Sequence, residues 1–141
     1  MLMMVILNSL VVIVSVMIHY EFLRVMADKL IGWTANRHLI IVLGVFGSLI
    51  AHAIEVWVFA IAYYWMHYAG EWGQLEGQFD GSLLACSYFS FTTYTTLGLG
   101  DITPMGDIRY LTGIESLTGL VLISWTASFL FIEMQKHWAL R

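Results

Sequence analysis

Long apolar stretches dominate this chain and restrict it to few folds. Residues 2–23 contain no charged side chain before Glu21, and residues 39–68 and 107–134 form two further stretches that are mostly apolar. Because a helix rises about 1.5 Å per residue, each stretch is long enough to cross the roughly 30 Å hydrocarbon core of a bilayer. Hydrophobic residues make up 60% of the chain and charged residues only 11%, a balance unlike that of soluble domains. The sequence therefore predicts an all-α membrane protein with three transmembrane helices.

Residues 82–95 are also apolar, but this segment is too short to cross a membrane and is more typical of a re-entrant helix. Asp80 or Ser82 is expected to cap its N-terminus. Residues 95–101 then read Thr-Thr-Leu-Gly-Leu-Gly-Asp, and irregular backbone at membrane depth is stable only where it is buried in protein or lines a watery path. Alternating glycines adopt dihedral angles that other residues avoid, so successive carbonyls can point the same way. A row of carbonyls can replace the hydration shell of a potassium ion, and we therefore interpret the segment as an ion filter.

A simple turn between two helices is the alternative explanation of Gly98 and Gly100. A glycine pair alone would support nothing more. In this chain a threonine pair precedes the glycines, Asp101 follows them, a short helix lies before and a full span lies after. The order of these features favours a pore loop over a simple turn.

Residues 90–104 resemble the pore loop of tetrameric potassium channels. The family pattern is Thr-x-x-Thr-Thr-Val-Gly-Tyr-Gly-Asp followed by proline, and residues 92–101 read Thr-Thr-Tyr-Thr-Thr-Leu-Gly-Leu-Gly-Asp, with Pro104 close behind. The resemblance extends over residues 39–134 and is greatest to small bacterial channels with two transmembrane helices and a pore loop, so the first helix of this chain is additional. It implies a homotetramer in a lipid bilayer that conducts potassium ions and uses no cofactor.

The resemblance also implies roles for the residues of the filter. The backbone carbonyls of Thr96, Leu97, Gly98 and Leu99 would bind potassium. Thr96 would add its hydroxyl at the inner end, and Gly100 would complete the outer turn.

Other positions match the family pattern or depart from it. Asp101 and Thr92 are implied to support the filter, although some members carry a glutamate where this chain has Thr92. Gly119 matches the hinge glycine of the inner helix. Leu97 replaces the usual valine, and Leu99 replaces a tyrosine whose hydroxyl braces the filter in many members. Potassium conduction is therefore the expected function, and a weakly selective channel for monovalent cations is the alternative.

Glu115 is the acidic residue inside the third span. Eight residues of helix after Asp107 place it about 12 Å below the outer surface, near the inner end of a filter about 15 Å long. Thr112, Ser116 and Gly119 form a neighbouring face of small residues that suits close packing. We predict that Glu115 buries its carboxyl against the pore helix and braces the filter. The alternative is that it faces the central cavity and contributes to a ring of negative charge.

His52 and Glu55 lie three residues apart near the middle of the second span. Ionisable residues at that depth are costly and indicate function, so a proton or metal site is one interpretation, with help from Asn8 or Ser9 of the first helix. The alternative is a neutral hydrogen-bonded pair that joins the first two helices. The other histidines lie near predicted helix ends, where contact with solvent is expected: His19, His38, His67 and His137.

The basic residues predict the orientation. Five of the six Lys and Arg residues lie in residues 24–38 or in the C-terminal tail, whereas residues 69–81 carry acidic residues only. The positive-inside rule places the N-terminus outside and the C-terminus in the cytoplasm, across an inner (plasma) membrane. The predicted divisions are an N-terminal transmembrane helix (1–23), a cytoplasmic loop (24–38), a pore domain (39–134) and a cytoplasmic tail (135–141). The pore domain comprises an outer helix (39–68), pore helix (82–95), filter (96–101) and inner helix (107–134).

Other classes of function have less support. The sequence lacks a nucleophile–base pair, a phosphate-binding loop and a metal cluster, so we expect no enzymatic activity, and we expect no nucleic-acid partner. The single cysteine, Cys86, is expected to pack in the core. A subunit of a potassium transporter is a further alternative, but such pore loops usually retain one glycine, and this chain has both Gly98 and Gly100. A partner subunit with a vestigial pore also remains open.

Overall fold

Four helices and two short strands form the described part of the chain. The computed structural model describes the backbone of residues 2–33 and 37–138. Three helices are long and apolar enough to cross a membrane, which confirms the predicted all-α membrane fold. The elements are α1 (Leu2–Trp33), α2 (Arg37–Ala69), β1 (Leu75–Gly77), α3 (Leu83–Tyr94), β2 (Ile102–Pro104) and α4 (Ile108–Trp138).

The ends of the helices differ from the predicted divisions. Helix α1 continues to Trp33, so residues 24–33 are helical where a loop was expected. Charged residues end an apolar span but do not end a helix, and the exposed pair Glu21–Arg24, 2.8 Å apart, has the spacing that supports helical structure. Helix α4 likewise continues to Trp138, into the predicted tail.

One face of α1 packs against α2 and α4. The buried residues of α1 recur every three or four positions, as they do on one face of a helix. The other face is largely apolar and exposed, which suits contact with lipid. Helix α1 is therefore an additional layer on the predicted pore domain. Its buried residues are Met4, Asn8, Val11, Ser15, His19, Leu23 and Met26.

Helix α3 and the segment after it enter and leave on the same side of the molecule. Ser82 caps α3, since its Oγ accepts the Ala85 N–H at 3.0 Å, which confirms one of the two predicted caps. Asp80 accepts the Ser82 N–H at 2.8 Å, and hydrogen bonding to Ser82 lowers the pKa of Asp80. Strands β1 and β2 pair antiparallel and bring the chain back beside its point of entry. The segment is therefore re-entrant.

The core lies where α2, α3 and the start of α4 meet. The thiol of Cys86 is buried there and free, as expected. The largest fully buried apolar and aromatic side chains are Phe59, Tyr63, Met66, Tyr94, Ile108, Leu111 and Leu122.

Candidate functional site

The backbone of residues 96–100 alternates between two conformations. Thr96, Gly98 and Gly100 have positive φ angles of 59°, 53° and 80°. Leu97 and Leu99 between them do not. An alternation of this kind allows successive carbonyls to turn toward the same side of the chain. Glycine accepts such angles readily, whereas the β-branched Thr96 does so under strain. The glycines could be predicted from the sequence, and the conformation of Thr96 could not.

The inner end of this segment is fastened to the last turn of α3. The Thr96 N–H donates to the carbonyl of Thr93 at 2.9 Å, and the Gly98 N–H donates to the carbonyl of Thr92 at 3.0 Å. These bonds use two of the carbonyls that the end of a helix leaves unpaired. The Thr92 hydroxyl donates within its own helix, to Phe89 O at 2.9 Å. Thr92 therefore contacts the segment through its carbonyl and not through its hydroxyl.

The outer end is fastened at Asp101. The Tyr88 hydroxyl donates to Asp101 Oδ2 at 2.7 Å, so a side chain of α3 holds the residue that follows the last glycine. The Gln78 N–H donates to the Asp101 carbonyl at 2.8 Å, which ties the same residue to the loop before α3. Tyr88 was missed by the sequence analysis, because one tyrosine in an apolar helix does not reveal its partner.

The segment itself is open in the single chain. Residues 95–100 are all exposed, and the leucine side chains at positions 97 and 99 are 64% and 59% exposed. Leu99 borders a groove of about 320 Å³ that is also lined by threonines of α3 and by Thr112 and Ser116 of α4. A polar, irregular surface of this kind needs protein or water around it at membrane depth.

Glu115 lies completely buried between three helices. Its carboxylate accepts a hydrogen bond from the Tyr63 hydroxyl of α2 at 2.6 Å and another from the Ser90 hydroxyl of α3. The expected burial against the pore helix is thus observed, and the residue of α3 that it contacts is Ser90. Tyr63 is an additional partner. The enclosed position disagrees with the alternative of a carboxylate that faces the cavity.

The next turn of α4 packs against the end of α3. The Ser116 hydroxyl donates to the Thr93 carbonyl at 3.2 Å. A Cβ atom built on Gly119 would lie 2.1 Å from the Tyr94 carbonyl oxygen, so only glycine fits. This contact is a reason for glycine at position 119 that is independent of the hinge role implied by the resemblance.

A second polar cluster lies between α1, α2, α3 and α4. The Glu55 carboxylate accepts from His19 Nδ1 at 2.8 Å, from His52 Nδ1 at 3.0 Å and from the Tyr94 hydroxyl. Thr126 Oγ1 lies 3.4 Å from His19 Nε2 and 3.1 Å from His52 Nε2. We refer to these five residues as the histidine cluster.

The histidine cluster corrects two expectations. His19 is 1% exposed, so the prediction that it contacts solvent is wrong. Since α1 runs on to Trp33, His19 lies well inside the helix. The partner that α1 supplies to Glu55 is His19, because Asn8 has no hydrogen-bond partner among the described residues and Ser9 is exposed.

His67 is partly buried and accepts the Leu75 N–H at 3.1 Å. The side chains of His38 and His137 lie outside the described residues.

The chain was compared with known proteins. A family model described as "Ion channel" matches residues 51–136, more than half of the chain. The match covers most of α2, all of α3, the exposed segment and nearly all of α4, and α1 lies outside it. No curated protein and no solved structure matches the chain.

Proposed function

We propose, because this chain belongs to the ion channel family, that it forms a passive, potassium-selective channel as a homotetramer. The observation that carries the proposal is the alternation of φ at residues 96–100 in a segment exposed in the single chain. One chain supplies one row of carbonyls. A cage around a dehydrated ion needs about four such rows on a common axis.

Backbone carbonyls carry the selectivity in this proposal. The carbonyls of Thr96, Leu97, Gly98 and Leu99 take the place of water around each ion. The Thr96 hydroxyl extends the site at its inner end, and Gly100 completes the outer turn. Several weak sites in series allow an ion to enter and also to leave. The hydrogen bonds at Asp101 and at the end of α3 fix the position of the carbonyl row in each copy, and so the spacing between the rows of neighbouring copies.

The fields of the helices and loops favour cations. The C-terminus of α3 carries the negative end of the helix dipole and points toward the inner end of the filter. On the proposed outer side, Glu71, Glu76 and Asp80 raise the local concentration of cations. This orientation places residues 24–38 in the cytoplasm and the channel in the inner (plasma) membrane.

The exposed groove supports assembly from several copies. The polar backbone and threonines around it are incompatible with lipid, so neighbouring copies cover them. Cross-linking of the purified chain in mild detergent is expected to yield tetramers. A limit at dimers under all conditions would contradict the assembly.

Reversal potentials test the selectivity. The chain alone, in liposomes or planar bilayers with potassium on one side and sodium on the other, is expected to give a reversal potential near that of potassium. A value near zero would identify a weakly selective cation channel, which the absence of a tyrosine hydroxyl at Leu99 favours as the second candidate. The absence of current would indicate a vestigial pore.

Leu99→Tyr is expected to retain potassium preference, because the carbonyls do not depend on that side chain.

Glu115→Gln tests the role of the buried carboxyl. The amide keeps the shape: its oxygen can accept from the Tyr63 hydroxyl, and its NH2 group can donate to Ser90, whose hydroxyl can donate to the Val56 carbonyl. We therefore expect an assembled channel with nearly unchanged single-channel conductance. Glu21→Gln, at an exposed position of α1, is the matched control for loss of one acid. A several-fold fall in conductance that high potassium relieves, with assembly intact, would place the Glu115 carboxylate in the ion path.

A further inference from the structure

We propose that His19 and His52 share one bound proton, so that the histidine cluster is a proton-binding site at the junction of α1 with the pore. The hydrogen atoms and lone pairs available in the cluster support this proton, whether or not the chain conducts ions.

The Glu55 carboxylate fixes one nitrogen of each ring. A carboxylate only accepts hydrogen bonds, so the Nδ1 atoms of His19 and His52, 2.8 and 3.0 Å from its oxygens, both carry hydrogen. Tyr94 donates a third hydrogen bond to the same carboxylate, and its oxygen lies 3.0 Å from His52 Nδ1, where it can accept from the same N–H. Glu55 is completely buried, and three donors from three helices satisfy it in its charged form.

The other nitrogen of each ring faces a single hydroxyl group. Thr126 Oγ1 is 3.4 Å from His19 Nε2 and 3.1 Å from His52 Nε2. If both rings are neutral, both Nε2 atoms are lone-pair acceptors, and Thr126 has one hydrogen to donate. One Nε2 acceptor then lacks a donor among the described residues, and the negative charge of Glu55 has no counter-charge in the cluster.

One added proton resolves both problems. A protonated Nε2–H of one ring donates to Thr126 Oγ1, and the Thr126 hydroxyl donates its own hydrogen to the Nε2 of the other ring. Every polar atom then has a partner, and one imidazolium neutralises one carboxylate. The proton can pass from one ring to the other through the hydroxyl, which exchanges the roles of the rings. The Nε2–H bond of the first ring breaks as Thr126 Oγ1 gains that hydrogen. Thr126 releases its own hydrogen at the same time, and this hydrogen forms the Nε2–H bond of the second ring.

Few other charged groups face the site. Helix α1 contributes His19, α2 contributes His52 and Glu55, and α3 contributes the Tyr94 hydroxyl. Helix α4 contributes the uncharged Thr126 and Trp125, whose ring centroid is 5.3 Å from that of His19. The other buried acid of α4, Glu115, is bonded to Tyr63 and Ser90 instead. His52 is partly exposed whereas His19 is buried, so His52 is the more accessible of the two rings.

A metal ion is the competing occupant. The ligand atoms of His19, His52 and Glu55 lie within 4.8 Å of one another, a spacing that a transition metal could use. A metal would have to displace the hydrogens that now join both rings to the carboxylate. The hydrogen-bonded geometry therefore favours the proton.

Nitrogen NMR of the whole chain, labelled with ¹⁵N-histidine in detergent with a chelator, tests the proposal. At about pH 7.5 a free imidazole is mostly neutral. The expected spectrum gives His19 and His52 together three N–H hydrogens, with the third on one Nε2 or averaged over both. His19→Gln and His52→Gln assign the signals. His67, whose Nδ1 accepts the Leu75 N–H, is the internal reference for a neutral ring.

Thr126→Val removes the hydroxyl with little change of shape, and the third hydrogen is expected to be lost from the pair at the same pH. Thr118→Val is the matched control, because Thr118 is buried on the same helix and its hydroxyl bonds only to Ile114 O, at 2.8 Å. Glu55→Gln, which removes the counter-charge, is expected to give the same loss. Three results would each overturn the proposal. The first is a spectrum of two neutral rings in the unmodified chain, and the second is retention of the third hydrogen in both Thr126→Val and Glu55→Gln. The third is a spectrum that changes when the chelator is omitted. A positive spectrum from a chain that carries no potassium current would leave the proton site standing and reject the proposed function.

Discussion

Gly98→Ala is expected to abolish potassium current while the protein still folds. The φ angle of Gly98 is +53°, and a Cβ atom built there would meet nothing within 4 Å. The expected loss therefore comes from the dihedral angle and not from a clash. The left-handed conformation costs an L-residue roughly 1–2 kcal/mol, and every copy around the pore would carry that cost. The carbonyl row would then relax out of the alternating conformation.

The current in bilayers and the yield of assembled protein are the two measurements for this variant. Gly113→Ala is the matched control, since Gly113 lies in α4, has no positive φ and offers open space to a Cβ atom. The control is expected to conduct normally, because alanine is favoured over glycine in a helix. Normal potassium current through Gly98→Ala would show that residues 96–100 do not form the filter.

Gly119→Ala is expected to prevent stable folding of the pore. The new methyl group would lie 2.1 Å from the Tyr94 carbonyl oxygen, and this neighbour is backbone that cannot rotate away. Overpacking of this kind costs about 1–3 kcal/mol and sometimes more. The end of α3 would have to move away from α4, and the proposed filter that starts at Thr96 would move with it.

Thermal unfolding of the detergent-solubilised protein measures this effect. Gly44→Ala serves as the control, because its Cβ atom would lie 3.2 Å from Leu130 Cδ2, the end of a side chain that can move. A large fall in unfolding temperature is expected for Gly119→Ala and a small one for Gly44→Ala. If Gly119→Ala unfolded at the normal temperature and differed only in channel opening, the hinge role would explain the glycine better than the contact with Tyr94.

The fold could be predicted to the level of its spans. The length of an apolar stretch decides whether it crosses a membrane, so three spans and a short re-entrant helix followed from the sequence. Hydropathy does not mark where a helix ends, and α1 therefore extends ten residues beyond the predicted boundary, to Trp33. Strands β1 and β2 were missed because three residues each, paired across α3, give no periodic pattern.

The candidate site was likewise predictable only in part. Gly98, Gly100 and Asp101 are part of a local pattern, so a short stretch of sequence was enough to select them. The partners of Glu55 and Glu115 on other helices were not predictable, because His19 is 36 residues from Glu55 and Tyr63 is 52 residues from Glu115. Long-range polar contacts depend on how the helices rotate against one another, which the sequence of one helix does not determine.

The buried acids affect how the chain enters the membrane. Glu55 and Glu115 lie inside spans, and an unpaired carboxylate at the centre of an isolated helix disfavours insertion by about 2.5–3.5 kcal/mol. Each acid has its partners on other helices: Glu55 on α1 and α3, and Glu115 on α2 and α3. During synthesis, α1 and α2 are available to each other early, so His19 can shield Glu55 as soon as α2 enters the bilayer. Glu115 arrives last, when Tyr63 and Ser90 are already in place. The order of the helices along the chain thus lets each charge meet its partners during insertion rather than after it.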